Sequence, residues 1–122
     1  MLPFQIMFVL QHFRLIKMKN LSQIEWRNLL SEDSAAEIID VRTPNECAEG
    51  IIENATIINF LEASAFLEAI NKLDKNKNYY LYCRSGSRSA QACHRLDSIG
   101  FKSTYNLVGG MLAWNGKIVT PA

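Results

Sequence analysis

The chain has 122 residues, of which 48% are hydrophobic and 20% charged, enough for one domain around a single core but not two. A formal net charge of +1 without a basic stripe leaves no electrostatic case for nucleic acid or an anionic membrane. Three widely spaced cysteines, Cys47, Cys83 and Cys93, with no Cys-x-x-Cys pair, exclude a disulfide framework, a zinc ribbon and a thioredoxin-type dithiol, and they suit a reducing, cytoplasmic setting.

Met1 to Leu10 is almost wholly apolar; Arg14 and Lys17 follow it, and no acidic residue precedes Glu25. Charges placed after the apolar run have the wrong order for a secretory signal. The run is too short for a membrane span and is interrupted by Gln5, Gln11 and His12. We read residues 1–17 as an extension to a domain of 18–122. It is either a short helix or strand packed on that domain or a stretch upstream of a start at Met18. Two basic residues give little support to a peripheral anchor, and His12 is assigned no role.

Ser22-Gln23-Ile24-Glu25 has the form of a capping box and predicts a helix to about Ser31, carrying Ile24, Leu29 and Leu30 with Trp26 nearby. Glu37 to Val41 is a short β-branched run expected of a buried parallel strand, and Ala55 to Phe60 is a second. Glu62 to Leu73 predicts a helix with Phe66, Leu67, Ile70 and Leu73 on one face. Tyr79 to Tyr82 is an aromatic strand. Ser89 to Ile99 is a helix with Ala92, Cys93, Leu96 and Ile99 at core spacing, stopped by Gly100. Ser103 to Val108 is a further strand, and Gly109-Gly110 opens a last helical turn through Trp114. Strands alternating with helices imply an α/β domain of three layers, a parallel sheet covered on both faces.

The segment Cys83-Arg84-Ser85-Gly86-Ser87-Arg88-Ser89 carries the chemistry. It follows a strand and precedes a helix, and the carboxyl ends of strands are where open parallel sheets bind ligands. Gly86 relaxes the backbone, so the loop amides can turn inward. The next helix adds the positive end of its dipole, and Arg84 and Arg88 add two permanent charges. All of these favour a thiolate at Cys83. An inert cysteine has no use for such a cradle.

Four blocks together resemble the single-domain rhodanese family, over roughly Asn20 to Trp114. They are Ile39-Asp40-Val41-Arg42 with Glu46 and Gly50; Asn54-Ala55; Tyr82 through Ser89; and Gly100-Phe101 with Asn106-Leu107, Gly109-Gly110 and Trp114. The resemblance implies a rhodanese-like fold with a central parallel sheet of about five strands flanked by helices. It implies a thiosulfate sulfurtransferase that needs no cofactor and no metal. Cys83 falls on the family's persulfide-forming nucleophile, and Arg84, Ser85, Gly86, Ser87 and Arg88 fall on its substrate loop. The implied partners are a small sulfur donor and a thiophilic acceptor, cyanide or a thiol, with a thioredoxin-like or sulfur-relay protein as a further possibility. Gly50-Ile51-Ile52-Glu53-Asn54-Ala55 departs from the family's Gly-His-Ile-Pro-Gly-Ala; Asn54 is the substitute best able to hold a left-handed turn. Ile57-Ile58-Asn59 and Cys47 are further departures.

Asp40, Arg42 and Glu46 are read as structural residues near the site, with Arg42 and Glu46 spaced for an ion pair if the segment after Pro44 is helical. Cys93 stands about 9 Å or more from Cys83 along the chain's path, too far for a disulfide, and is core filler. A redox role for Cys47 stays open. His94 points away from Cys93 on the helix, so the two do not share a metal. Trp114 closes a packed turn, and Trp26 is a core or rim aromatic. One rival is a phosphatase or arsenate reductase on the same fold, which would have five residues between cysteine and arginine; here four lie between Cys83 and Arg88. The other rival is a relay module that takes sulfur from a partner protein.

Overall fold

The computed structural model describes residues 18–122. The readings made for residues 1–17, His12 included, lie outside the described residues. The elements are β1 (Lys19–Leu21), α1 (Gln23–Ser31), β2 (Ala36–Asp40), α2 (Pro44–Cys47), β3 (Ile51–Ile52), β4 (Ala55–Ile57), α3 (Ala63–Asn71), β5 (Asn78–Tyr82), α4 (Ser87–Ser98), β6 (Ser103–Leu107), α5 (Gly110–Ala113) and β7 (Ile118–Val119).

Five strands form one sheet in the order β1-β6-β5-β2-β4, every neighbouring pair parallel. The fifth strand, β1, has no apolar run to announce it: Lys19 and Asn20 are exposed and it is three residues long. β3 and β7 form a separate antiparallel ribbon that no periodicity could foretell from two residues each.

Alternation along the strands splits the core into two halves. Tyr79, Leu81, Ile39 and Val41 face α3 and α4, packing with Phe66, Ile70, Ala92, Cys93 and Leu96; Cys83 joins this side. Tyr80, Tyr82 and Ile38 face the other way, toward Trp26 and Leu107. Period-two alternation in the central strands therefore builds both halves of a three-layer domain.

Local signals set the helix ends. The Ser22 box is present in both directions, Glu25 N–H to Ser22 Oγ and Ser22 N–H to Glu25 Oε1. α4 stops in a Schellman arrangement, with Gly100 at φ +99° and Phe101 N–H reaching Leu96 O at 3.1 Å. It starts two residues earlier than expected, because Gly86 adopts φ +108° and turns the chain directly into the helix. The buried face of α1 differs from the expected one. Ile24 is 74% exposed and Leu29 is also exposed, whereas Trp26 is wholly buried. Its ring meets Tyr80, Tyr82 and Trp114 edge-on, and its indole N–H donates to Tyr105 O at 3.3 Å. One large ring filling the space between helix and sheet does the work of several aliphatic side chains.

Trp26→Ala should therefore cost about 3–5 kcal/mol of stability, and Ile24→Ala less than about 0.5 kcal/mol. Urea unfolding followed by circular dichroism measures both, and similar midpoints for the two variants would contradict this packing.

Candidate functional site

Cys83 leaves the carboxyl end of β5 and is wholly buried. Its Sγ accepts hydrogen bonds from the Gly86 N–H at 3.1 Å and from the Ser89 hydroxyl at 3.3 Å. Burial by itself pushes a thiol up. Here that push is outweighed by the Ser89 hydroxyl and by the backbone N–H groups of Ser89, Gly86 and Ser85, so the thiol lies below its ordinary value. The other two cysteines are internal controls. Burial, with Asp40 beside it, pushes Cys47 up to about 11. Burial and Asp97 also push Cys93 up. Only Cys83 has enough donors to reverse the sign.

Several carbonyls of the loop are engaged from outside it, and the one at Arg84 shares its peptide plane with the Ser85 N–H donor. The first amides of α5 take them: Met111 N–H donates to Cys83 O at 2.9 Å and Leu112 N–H to Arg84 O at 3.0 Å. The approach is so close that a Cβ on Gly110, which sits at φ +52°, would lie 2.5 Å from Cys83 O and 2.6 Å from Arg84 O. The Gly86 carbonyl accepts from Ala90 N–H and from Asn106 Nδ2, both at 3.1 Å, and Asn106 Nδ2 also donates to Asn20 Oδ1 at 2.9 Å. Ser89, which closes the segment read as carrying the chemistry, and Asn106 and Gly110, read only as part of the family resemblance, thus gain site roles that the sequence reading had not assigned them. A hydroxyl in the first turn after the cysteine loop was a usable signal for Ser89; nothing local marks Asn106.

The two loop arginines differ. Arg84 is exposed and makes no ion pair among the described residues. Arg88 is held by Glu46 in a two-point contact, 2.7 Å from Nη1 to Oε1 and 2.8 Å from Nη2 to Oε2. Glu46 accordingly does not pair with Arg42, contrary to the i, i+4 expectation. Arg42 instead turns back to Asp40, with Nη2 to Oδ2 at 2.7 Å and Nε to Oδ1 at 3.0 Å. Its remaining N–H groups donate to Gly50 O at 2.8 Å and to Glu46 O at 3.4 Å. Asp40, two residues away at the strand end, reaches the guanidinium first. This frees the Glu46 side chain for α4. Ser85 and Ser87 are exposed on the loop, and Gly86 is half-buried.

Among the described residues, no group of three or more His, Cys, Asp or Glu side chains is placed to hold a metal ion. A hollow of about 430 Å³ near Arg27, Asp33, Glu53 and Trp114 shares no residue with the Cys83 loop. The arrangement around Cys83 suits one kind of chemistry: a buried sulfur anion, formed or received, held by neutral N–H and O–H donors.

Comparison with known proteins places this geometry in a family. The model of the rhodanese-like domain matches residues 22–117. The chain is 39% identical over 102 residues to YtwF of Bacillus subtilis (strain 168), covering 84% of this chain and 95% of that protein. It is 37% identical over 87 residues to a sulfurtransferase of Allochromatium vinosum, covering 70% and 77%. A rhodanese-like domain protein from Staphylococcus aureus superposes with a TM-score of 0.74 at 34% identity, covering 86% of this chain and all of that one.

At neutral pH, iodoacetamide should alkylate Cys83 ahead of Cys47 and Cys93, read by peptide mass spectrometry. Ser89→Ala should move the pH midpoint of that alkylation upward, since one donor to the sulfur is gone. Gly110→Ala should slow alkylation at fixed pH and lower Tm, because the new methyl forces α5 off the Cys83 and Arg84 carbonyls. Equal alkylation rates for all three cysteines would contradict the inverted shift at Cys83.

Proposed function

The chain belongs to the rhodanese-like domain family, and from that premise we propose that it is a sulfurtransferase working through a persulfide on Cys83, with a small anionic sulfane donor such as thiosulfate. The observation that carries this reading is the pair of donors on the buried Cys83 sulfur, the Gly86 N–H at 3.1 Å and the Ser89 hydroxyl at 3.3 Å, which favour its thiolate. A thiolate is the nucleophile that sulfur transfer requires, and it needs no general base.

In the first half-reaction the Cys83 thiolate attacks the outer sulfur of the donor. The new S–S bond forms as the donor's own S–S bond breaks, and the electron pair leaves with sulfite when the donor is thiosulfate. The product carries its negative charge on the terminal sulfur of the Cys83 persulfide. N–H groups of the loop and the N-terminus of α4 are the donors that steady it. In the second half-reaction a thiophilic acceptor, cyanide or a thiolate, attacks that terminal sulfur and Cys83 departs as thiolate. Arg84, exposed beside the loop, is the residue best placed to draw the donor anion in. Three unpaired cysteines suit a reducing, cytoplasmic setting for this cycle.

Incubation with excess thiosulfate should add the mass of one sulfur atom to the intact protein, on Cys83, removable by cyanide or dithiothreitol. Cys83→Ser should abolish the addition, and the wild-type protein should hydrolyse p-nitrophenyl phosphate no better than that variant. Sulfur mapped to Cys47 or Cys93, or Cys83-dependent phosphatase turnover without sulfur loading, would overturn the assignment.

A further inference from the structure

Three arginines stand near Cys83, yet two of them are already neutralised. Arg42 is bound to Asp40. Arg88, in the first turn of α4, has both terminal nitrogens on the Glu46 carboxylate. Arg88 also feels the Cys83 charge, but less than it feels Glu46, which comes first among the groups that hold its proton.

Glu46 is not free to yield. Its Oε1 accepts from Thr43 N–H at 3.2 Å and from Thr43 Oγ1 at 3.0 Å, while Thr43 Oγ1 accepts from Glu46 N–H at 3.3 Å. This is the capping box of α2, so the carboxylate that holds Arg88 is itself built into a helix start. A donor that recruited Arg88 would have to break a two-point ion pair without Glu46 following it. With Cys83 as thiolate, the formal charges of Cys83, Glu46, Arg88 and Arg84 sum to zero, since Asp40 and Arg42 cancel separately. A dianion then finds one uncommitted guanidinium among the described residues, Arg84, where release of Arg88 would offer two, and a neutral or singly charged donor has less need of the second.

We propose that Glu46 is a specificity-determining residue that withholds Arg88 from the donor, so that thiosulfate is met by Arg84 and the loop N–H groups alone and alkyl hydropersulfides compete with it as donors. This rests on the sulfurtransferase reading above. With a hydropersulfide, Cys83–S⁻ attacks the terminal sulfur of R–S–SH. The donor's S–S bond breaks with its electron pair leaving on R–S⁻, the proton passes from the transferred sulfur to R–S⁻, and Cys83–S–S⁻ and R–SH result. No oxidant or reductant enters.

The test compares wild-type protein and Glu46→Gln with thiosulfate and with a small alkyl hydropersulfide as donors. Gln at this position retains the acceptor the capping box needs while losing the charge, and circular dichroism with Tm verifies the fold. The kcat/KM for thiosulfate relative to that for the hydropersulfide should rise about tenfold in Glu46→Gln, mainly through the thiosulfate KM, the size of one charge-assisted contact released. An unchanged ratio, or a fall, overturns the inference. Wild-type protein gives an independent check: its thiosulfate KM should respond only weakly to ionic strength, and a steep rise with salt would also overturn it. If neither donor loads sulfur on Cys83 of the wild type, the sulfurtransferase reading itself falls and this inference with it. If both load and the ratio does not move, only the role of Glu46 falls.

Discussion

The loop after β5, which carries the N–H donors to the Cys83 sulfur, is held from outside by the first amides of α5, which occupy the carbonyls of Cys83 and Arg84. Within one peptide unit N–H and C=O point opposite ways, so holding the Arg84 carbonyl outward turns inward the Ser85 N–H, one of the groups that lower the Cys83 thiol. Gly110 makes the anchor possible by having no side chain where two carbonyl oxygens sit. Asn106 gives a second anchor by donating to the Gly86 carbonyl. The chemistry of Cys83 thus depends on residues more than twenty positions further along the chain, contributed by the end of β6 and the turn that follows it.

The three cysteines show how much that orientation matters. All are buried, and burial acts on each in the same direction. A thiol in the packed interior stays protonated unless hydrogen-bond donors aimed at the sulfur exceed the cost of removing its charge from water. At Cys47 and Cys93 burial prevails and the thiol stays protonated. Cys83 is set apart by donors rather than by exposure, and by neutral dipoles more than by the arginines beside it in the chain.

The Asp40–Arg42 pair has a different part. A buried ion pair is a poor source of net stability, since desolvation of both charges offsets their attraction. What it does here is positional. Arg42 ties the end of β2 to the carbonyls of Glu46 and Gly50, so the short α2 and the turn into β3 are fixed against the sheet. With Arg42 committed, the Glu46 side chain faces α4 and takes Arg88. One local competition, Asp40 against Glu46 for a single guanidinium, thereby changes the charge at the mouth of the site.

Much of this was legible in the amino-acid sequence because it depends on neighbours within one turn or one strand. The capping box at Ser22, the stop at Gly100, the alternation through Tyr79–Tyr82 and the left-handed Asn54, at φ +71°, all follow from short-range sterics and hydrogen bonding. So does the placing of a cysteine in a Ser/Gly loop between a strand and a helix. Three features needed the tertiary structure: the polar edge strand β1, the choice of Trp26 over Ile24 as the buried contact of α1, and the partner of Glu46. In the last case spacing alone allowed Arg42 at i−4 and could not show Arg88, 42 residues away. Sequence determines which groups can bond at close range. Which of several competent partners is taken depends on distances that exist only after the sheet has brought β2 and β5 side by side.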